Sequence, residues 1–164
     1  MRNAPALARF WGLLLLLVAL HFAVRPRLGD PRFAPDFVLV ALLFFAVRTR
    51  PGAGAAAGFL AGLMTDALAP TAFGSAALAC TVVGYGAAWL TTLTFADNLL
   101  INALFVCAAS WLRDAVQVLA ANQLAGGALA WQLLAWSPLS GLSTAAAAFA
   151  VLLVFRSWLA ARPA

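Results

Sequence analysis

The chain has 164 residues, of which 65% are hydrophobic and only 9% charged, and its formal net charge is +5. A soluble domain with so few charges could not keep its surface wetted, so this composition excludes a water-soluble globular protein. All ten basic residues are arginines that stand singly or in pairs beside apolar runs. Because no basic patch is interleaved with aromatics, a nucleic-acid partner is not expected.

Six apolar segments follow one another along the chain, at about residues 6–24, 34–48, 52–69, 73–93, 98–120 and 137–156. A helix needs roughly 17 to 25 apolar residues to cross a hydrocarbon layer of about 30 Å. The first run is followed by the charged stretch RPRLGD and by further spans, which favours an uncleaved span over a secretory signal. The sequence thus predicts an all-α polytopic membrane protein, one compact bundle of about six transmembrane helices over residues 1–164.

Prolines and polar residues mark the expected helix ends. Pro35 and Asp36 suit the first turn of the second span, since proline lacks only an amide that would be unpaired there. Pro70 is expected to stop the third span, and Ser137 with Pro138 to open the sixth. Residues 122–136, which carry Trp131, fit either a helix lying in the membrane interface or a continuation of the neighbouring spans.

Arginine counts in short loops predict the orientation, because positive charge is retained on the cytoplasmic side. Both termini are expected inside. The cytoplasmic set is then Arg2, Arg9, Arg48, Arg50, Arg156 and Arg162, against Arg25, Arg27 and Arg32 outside.

A stripe of glycines runs down the third span. Gly54, Gly58, Gly62 and Asp66 recur every four residues and so share one helix face. Small residues at this spacing let a second backbone come close, which in lipid replaces the missing hydrophobic drive. The stripe predicts intimate helix packing, either within the bundle or between two copies.

The aspartate at the far end of this stripe is costly in a membrane, at about 2.5 to 3.5 kcal/mol if it lay at the bilayer centre. Counted along its helix, Asp66 lies about 21 Å from the inside turn, and Arg113 and Asp114 lie about 22 Å along the fifth span. We therefore expect a polar cluster of Asp66 with Arg113 and Asp114 in the outer leaflet. The alternative is that each side chain reaches the outer headgroups separately.

The remaining polar residues do not form a catalytic pattern. An intramembrane aspartyl protease would need two carboxylates sharing a proton, and the arginine beside Asp114 argues against that. His21 is predicted to be a satisfied or interfacial histidine without a function, and Cys80 and Cys107 to be reduced, buried thiols. The sequence therefore predicts neither an enzyme nor a cofactor or metal site.

Three segments carry a resemblance to a known family. They are FAPDFVLVALLFFAV (33–47), GAAAGFLAGLMTDALAPTAFGSAALA (54–79) and VVGYGAAWL (82–90). In this order they resemble MreD, the rod shape-determining membrane protein family of bacteria, and the acidic Asp114 in span five also fits. The resemblance implies structural or interface roles for Pro35, Asp36, Gly58, Gly62, Asp66, Gly74 and Tyr85.

Membership of that family would imply a non-enzymatic scaffold subunit of the cell-elongation complex in the bacterial inner membrane. Its expected partners are MreC, RodA with its penicillin-binding transpeptidase, indirectly MreB, and the membrane lipids. The implied fold is similar to the substrate-binding subunits of energy-coupling-factor transporters. The alternative function is therefore solute binding in such a vitamin transporter, for which the candidate polar residues are Asp66, Arg113, Asp114, Gln117 and Tyr85.

Overall fold

A computed structural model describes residues 4–24, 27, 34–68, 72–94, 99–122 and 126–159. This part of the chain is helical and contains no strand. The helices are α1 (Ala4–Val24), α2 (Phe37–Ala46), α3 (Pro51–Asp66), α4 (Ser75–Thr94), α5 (Leu99–Ala121), α6 (Gly127–Trp131) and α7 (Ser137–Leu159), with a π-helical segment, Gln132–Trp136, between the last two.

The central helix of the bundle is α2. It is apolar on all sides, a composition typical of a fully enclosed helix, and every residue except Phe45 is buried. It packs against α1, α3, α4, α5 and α7. With only ten residues it is about 15 Å long, half of a bilayer's hydrocarbon thickness and shorter than the predicted span 34–48.

Two helical stretches of the described chain, Ile101–Ala121 and Gly127–Val154, are long and apolar enough to cross a membrane. Apolar stretches of α1, α2 and α4, at Ala8–Val24, Phe37–Ala46 and Ser75–Leu90, accompany them. The architecture is that of a helical membrane protein in which the ten-residue α2 is enclosed by longer helices.

The glycine stripe is an internal packing surface between α3 and α4, the most closely packed pair of helices. A Cβ atom on Gly58 would meet the carbonyl oxygen of Cys80, and one on Gly54 would meet the carbonyl of Gly84. At Gly62 it would meet the backbone of α4 near Ala77. Because the contacted numbers fall as the glycine numbers rise, α3 and α4 run antiparallel with their backbones in direct contact.

The region predicted as either an interfacial helix or a continuation is a continuation, since α6 runs through the π-helical segment into α7. Pro138 stands two residues after the π-helical segment. It lacks an amide hydrogen, and in the π-helical pattern that amide would bond the carbonyl of Leu133. The indole Nε1 of Trp111 donates to this carbonyl instead, at 3.0 Å. The α-helix α7 begins at Ser137, as expected, but it continues the helical turns of α6 and the π-helical segment and does not follow a break in the helix.

The two ends of the bundle differ in charge. Trp11 of α1 packs on Phe45 of α2 with ring centroids 5.9 Å apart, and Arg48 lies over the Phe10 ring at 4.6 Å. Arg9, Arg48 and Arg50 are exposed at this end, which we call the basic end. The last residues of α1 lie at the opposite end, and α7 runs from there back towards the basic end beside α5. The described start of α1 and end of α7 thus share the basic end.

We expect Gly58→Ala to lower the free energy of unfolding by about 1 to 3 kcal/mol, because the added methyl group must push the α4 backbone away. The matched control is Gly86→Ala in α4, where an added Cβ meets nothing within 4 Å. That variant should be neutral or slightly stabilising, since alanine favours helix. Thermal unfolding of the purified protein in detergent measures both. Equal effects of the two substitutions would contradict the close packing of α3 on α4.

Candidate functional site: a buried ion-pair cluster

The first element of the site is the cap of α2. Asp36 is the N-cap residue, and its Oδ1 accepts a hydrogen bond from the Leu39 amide at 3.0 Å. The Asp36 amide in turn donates to Thr144 Oγ1 of α7 at 3.2 Å. The sequence predicts that Pro35 and Asp36 lie in the first turn of the helix. In the structure Asp36 stands one position before the helix, and Pro35 precedes it. The reason is that a carboxylate satisfies unpaired amides best from the N-cap position.

The second element is the guanidinium of Arg113 in α5. Its Nη1 lies 2.7 Å from Asp36 Oδ2 and 3.7 Å from Asp114 Oδ1. Arg113 is only 7% exposed and Asp36 only 5%, so this is a buried ion pair. The Arg113 side chain also interacts with Cys80 of α4. Two carboxylates thus share one guanidinium inside the bundle.

The third element is His21, near the end of α1. Its Nδ1 lies 3.3 Å from Asp36 Oδ1 and 3.4 Å from the amide nitrogen of Val38. At 3% exposure it is enclosed by protein. The prediction that His21 is a satisfied histidine without a function did not include this contact, which joins α1 to the cap of α2.

The fourth element is Asp114, which links α5 to α7. The Ser140 hydroxyl donates to Asp114 Oδ2 at 3.1 Å. The Asp36 amide also donates to Thr144 of α7. Helix α7 therefore makes polar contacts with both of the aspartates that face Arg113. We call Asp36, Arg113, His21 and Asp114 the ion-pair cluster; its members come from α1, the α2 cap and α5.

Among the described residues, the carboxylate of Asp66 bonds to backbone amides and not to a charged side chain. Although only 2% exposed, it accepts hydrogen bonds from the amides of Gly74 at 3.1 Å, Ala76 at 3.1 Å and Ala77 at 2.8 Å. These amides belong to the turn before α4 and to its first residues, so Asp66 caps α4 from the end of α3. Gly74 has φ +95°, a conformation that favours glycine, and this allows the turn to present its amide to the carboxylate.

The structure therefore differs from the expected cluster in the partner of Arg113. Arg113 and Asp114 lie together, but the carboxylate that Arg113 meets most closely is Asp36, while Asp66 is occupied by backbone amides. A signal was available in the sequence. Asp36 stands twelve residues, about 18 Å of helix, before Arg48, which is close to the depth of Arg113 in its own helix.

The other residues implied by the resemblance lie outside this cluster. Tyr85 is 52% exposed on the outer face of α4, and Pro35 is half-buried beside the cap. Gly58 and Gly62 serve the contact of α3 with α4.

The described contacts of these groups cap helix ends and join neighbouring helices. The described carboxylates accept hydrogen bonds from amides or hydroxyls, and two of them also face the Arg113 guanidinium. Among the described residues, no group of three or more His, Cys, Asp or Glu side chains is arranged to hold a metal ion. Buried charges that are paired in this way fix the positions of their helices.

Removal of the cation tests the ion pair. We expect Arg113→Leu to destabilise the protein by about 3 to 5 kcal/mol, because it leaves the Asp36 carboxylate buried without its partner. Adding Asp36→Asn should recover much of this loss, since asparagine removes the charge and still caps α2. Denaturant unfolding in detergent micelles measures the three variants. A double variant no more stable than Arg113→Leu, or equal rescue by Asp66→Asn, would refute the pairing.

A second pair of variants tests the cap on α4. Asp66→Ala should cost about 0.5 to 2 kcal/mol or more, because three amides lose one acceptor, whereas Asp66→Asn should retain part of the stability through its side-chain oxygen. Melting temperatures of both variants give the comparison. If asparagine were as harmful as alanine, the charge of Asp66 rather than its capping would be the stabilising feature.

Comparison with known proteins places this bundle in a family. No significant match was found among curated proteins or among solved structures. A family model described as rod shape-determining protein MreD matches residues 6–156, nearly the whole chain. The matched region includes every residue of the ion-pair cluster and the whole α3–α4 hairpin. The chain therefore belongs to the MreD family of rod shape-determining membrane proteins.

Proposed function

We propose that this protein is a non-enzymatic scaffold subunit of the rod complex in the bacterial inner membrane, where it binds an MreC-like protein and supports peptidoglycan synthesis. Family membership supplies the coarse assignment, a component of the cell-shape machinery from a family not known for catalysis. The proposal adds the MreC-like partner, the location in the inner membrane and the support of peptidoglycan synthesis. RodA and its transpeptidase join directly or through the MreC-like protein, and MreB joins indirectly.

The observation that carries the scaffold role is the use of the described carboxylates as helix ties. Asp36 connects α2 with α5, α1 and α7, Asp114 connects α5 with α7, and Asp66 connects α3 with α4. A bundle tied in this way has few alternative arrangements of its helices, as a docking platform requires. A carboxylate that acted in catalysis would instead have to be available to substrate.

The membrane topology is part of the proposal. We infer six spans with both termini in the cytoplasm, which places the basic end on the cytoplasmic side. The sharing of that end by the start of α1 and the end of α7 supports this arrangement. The exposed Arg9, Arg48 and Arg50 support it as well, because basic residues are retained on the inner side.

Solute binding in an energy-coupling-factor transporter is the competing function. It would need several polar side chains converging on one cavity large enough for a vitamin. Between α5 and α7 lies a cavity of about 10 Å³, lined by Asn102 and six apolar residues, which is room for about one water molecule. Of the described polar residues favoured for a solute, Arg113 and Asp114 are paired within the ion-pair cluster, Asp66 accepts three backbone amides, and Tyr85 faces outward.

Affinity purification tests the assignment. The tagged, detergent-solubilised protein should recover a single-span MreC-like protein from membranes of its own bacterium, identified by mass spectrometry. Depletion should turn rod-shaped cells round, and the wild-type gene should restore the rods, because the complex directs elongation.

The Arg113→Leu variant should lose both recovery of the partner and rescue of cell shape. The control variant, Gly86→Ala, should keep both. Recovery of transporter ATPases in place of an MreC-like protein would overturn the scaffold role in favour of solute uptake.

A further inference from the structure

The basic end carries exposed arginines that the ion-pair cluster does not use. Arg9 lies on the first half of α1, Arg48 follows α2, and Arg50 is the N-cap residue of α3, which makes no side-chain capping bond. Arg48 is held in place by the face of the Phe10 ring, 4.6 Å from its Cζ. Since a cation held against an aromatic face loses little further freedom on binding, its guanidinium is preorganised.

Aromatic side chains mark the level of the membrane surface at this end. Trp11 and Trp89 are both exposed. Trp11 packs against Phe45, three residues before Arg48. Trp89 directly follows Ala88, which lies beside Gly54 in the first turn of α3. Exposed indoles favour the headgroup layer. The three arginines therefore lie at the depth where lipid phosphates lie.

The charge at this end is of one sign among the described residues. The described carboxylates lie towards the end of the bundle opposite the basic end, and each is bonded within the protein. They are Asp36, Asp66 and Asp114. Asp97, between α4 and α5, is outside the described residues. Guanidinium groups bind phosphate through two parallel hydrogen bonds, which are stronger than neutral ones.

We propose that the basic end is a binding site for the phosphate headgroups of anionic phospholipids, formed by Arg9, Arg48 and Arg50. The site is independent of the rod-complex assignment, because it needs only the protein and the lipid. It gives the bundle a preference for membranes rich in anionic lipid, and it fixes the depth of α2 and α3 relative to the phosphates.

Native mass spectrometry of the detergent-purified protein measures this preference, with phosphatidylglycerol and phosphatidylcholine of the same acyl chains as probes. Phosphatidylglycerol should bind more tightly. Each arginine-to-glutamine change should weaken its binding about fivefold, and Arg9→Gln, Arg48→Gln and Arg50→Gln together about a hundredfold. The matched control is Arg27→Gln, an exposed arginine beyond the end of α1 opposite the basic end, which should leave the affinity unchanged.

The melting temperature without added lipid shows whether each variant is folded. If loss of the contact with Phe10 unfolds the triple variant, the double variant Arg9→Gln, Arg50→Gln keeps that contact and should bind about 25-fold more weakly. Equal affinity for the two lipids, an equal loss in Arg27→Gln, or full competition by inorganic phosphate at the lipid's own concentration would each overturn the proposal. None of these outcomes depends on recovering an MreC-like protein.

Discussion

A carboxylate and a guanidinium buried in an apolar bundle must stay together, because either one alone would be a charge without solvent. Asp36 and Arg113 meet at 2.7 Å under this constraint. The cost of separating them is several kcal/mol, a large part of the stability of a domain this size. Asp36 caps the central helix and Arg113 belongs to a long helix beside it, so the pair fixes the height and rotation of α5 relative to α2. His21, Thr144 and Asp114 extend the same constraint to α1 and α7.

The α3–α4 hairpin is held by a different kind of force. There the backbones touch along the glycine stripe, and Asp66 closes the hairpin by accepting three amides at the start of α4. Dispersion between close backbones replaces ionic attraction. The two assemblies meet where α2 packs on α3 and α4, where α5 packs on α4, and where the Arg113 side chain reaches Cys80. The ion-pair cluster and its hydrogen bonds thus stabilise the packing of α1, α2, α5 and α7, and close backbone contact stabilises the α3–α4 hairpin.

Much of this arrangement follows from local patterns in the sequence. Four-residue spacing predicts that Gly54, Gly58 and Gly62 share a face, and a proline followed by aspartate predicts the start of α2. Counting residues gives a depth for each charge but no rotation about the bundle axis, so it could not decide whether Arg113 meets Asp36 or Asp66. The cap by Asp66 depends on a turn whose conformation is set by Gly74. The donor to the Leu133 carbonyl of the π-helical segment is Trp111, which is distant in sequence.

The π-helical segment Gln132–Trp136 has a consequence for how this chain would respond to a deletion. A π turn accommodates about one residue more than an α turn, so removing a single residue from it would restore ordinary winding. That deletion would swing α6 by about 100° around the helix axis. Ser140 and Thr144, which follow the segment, would keep their phase relative to Asp114 and Asp36. The direction in which Trp131 projects is therefore set separately from the charged interior.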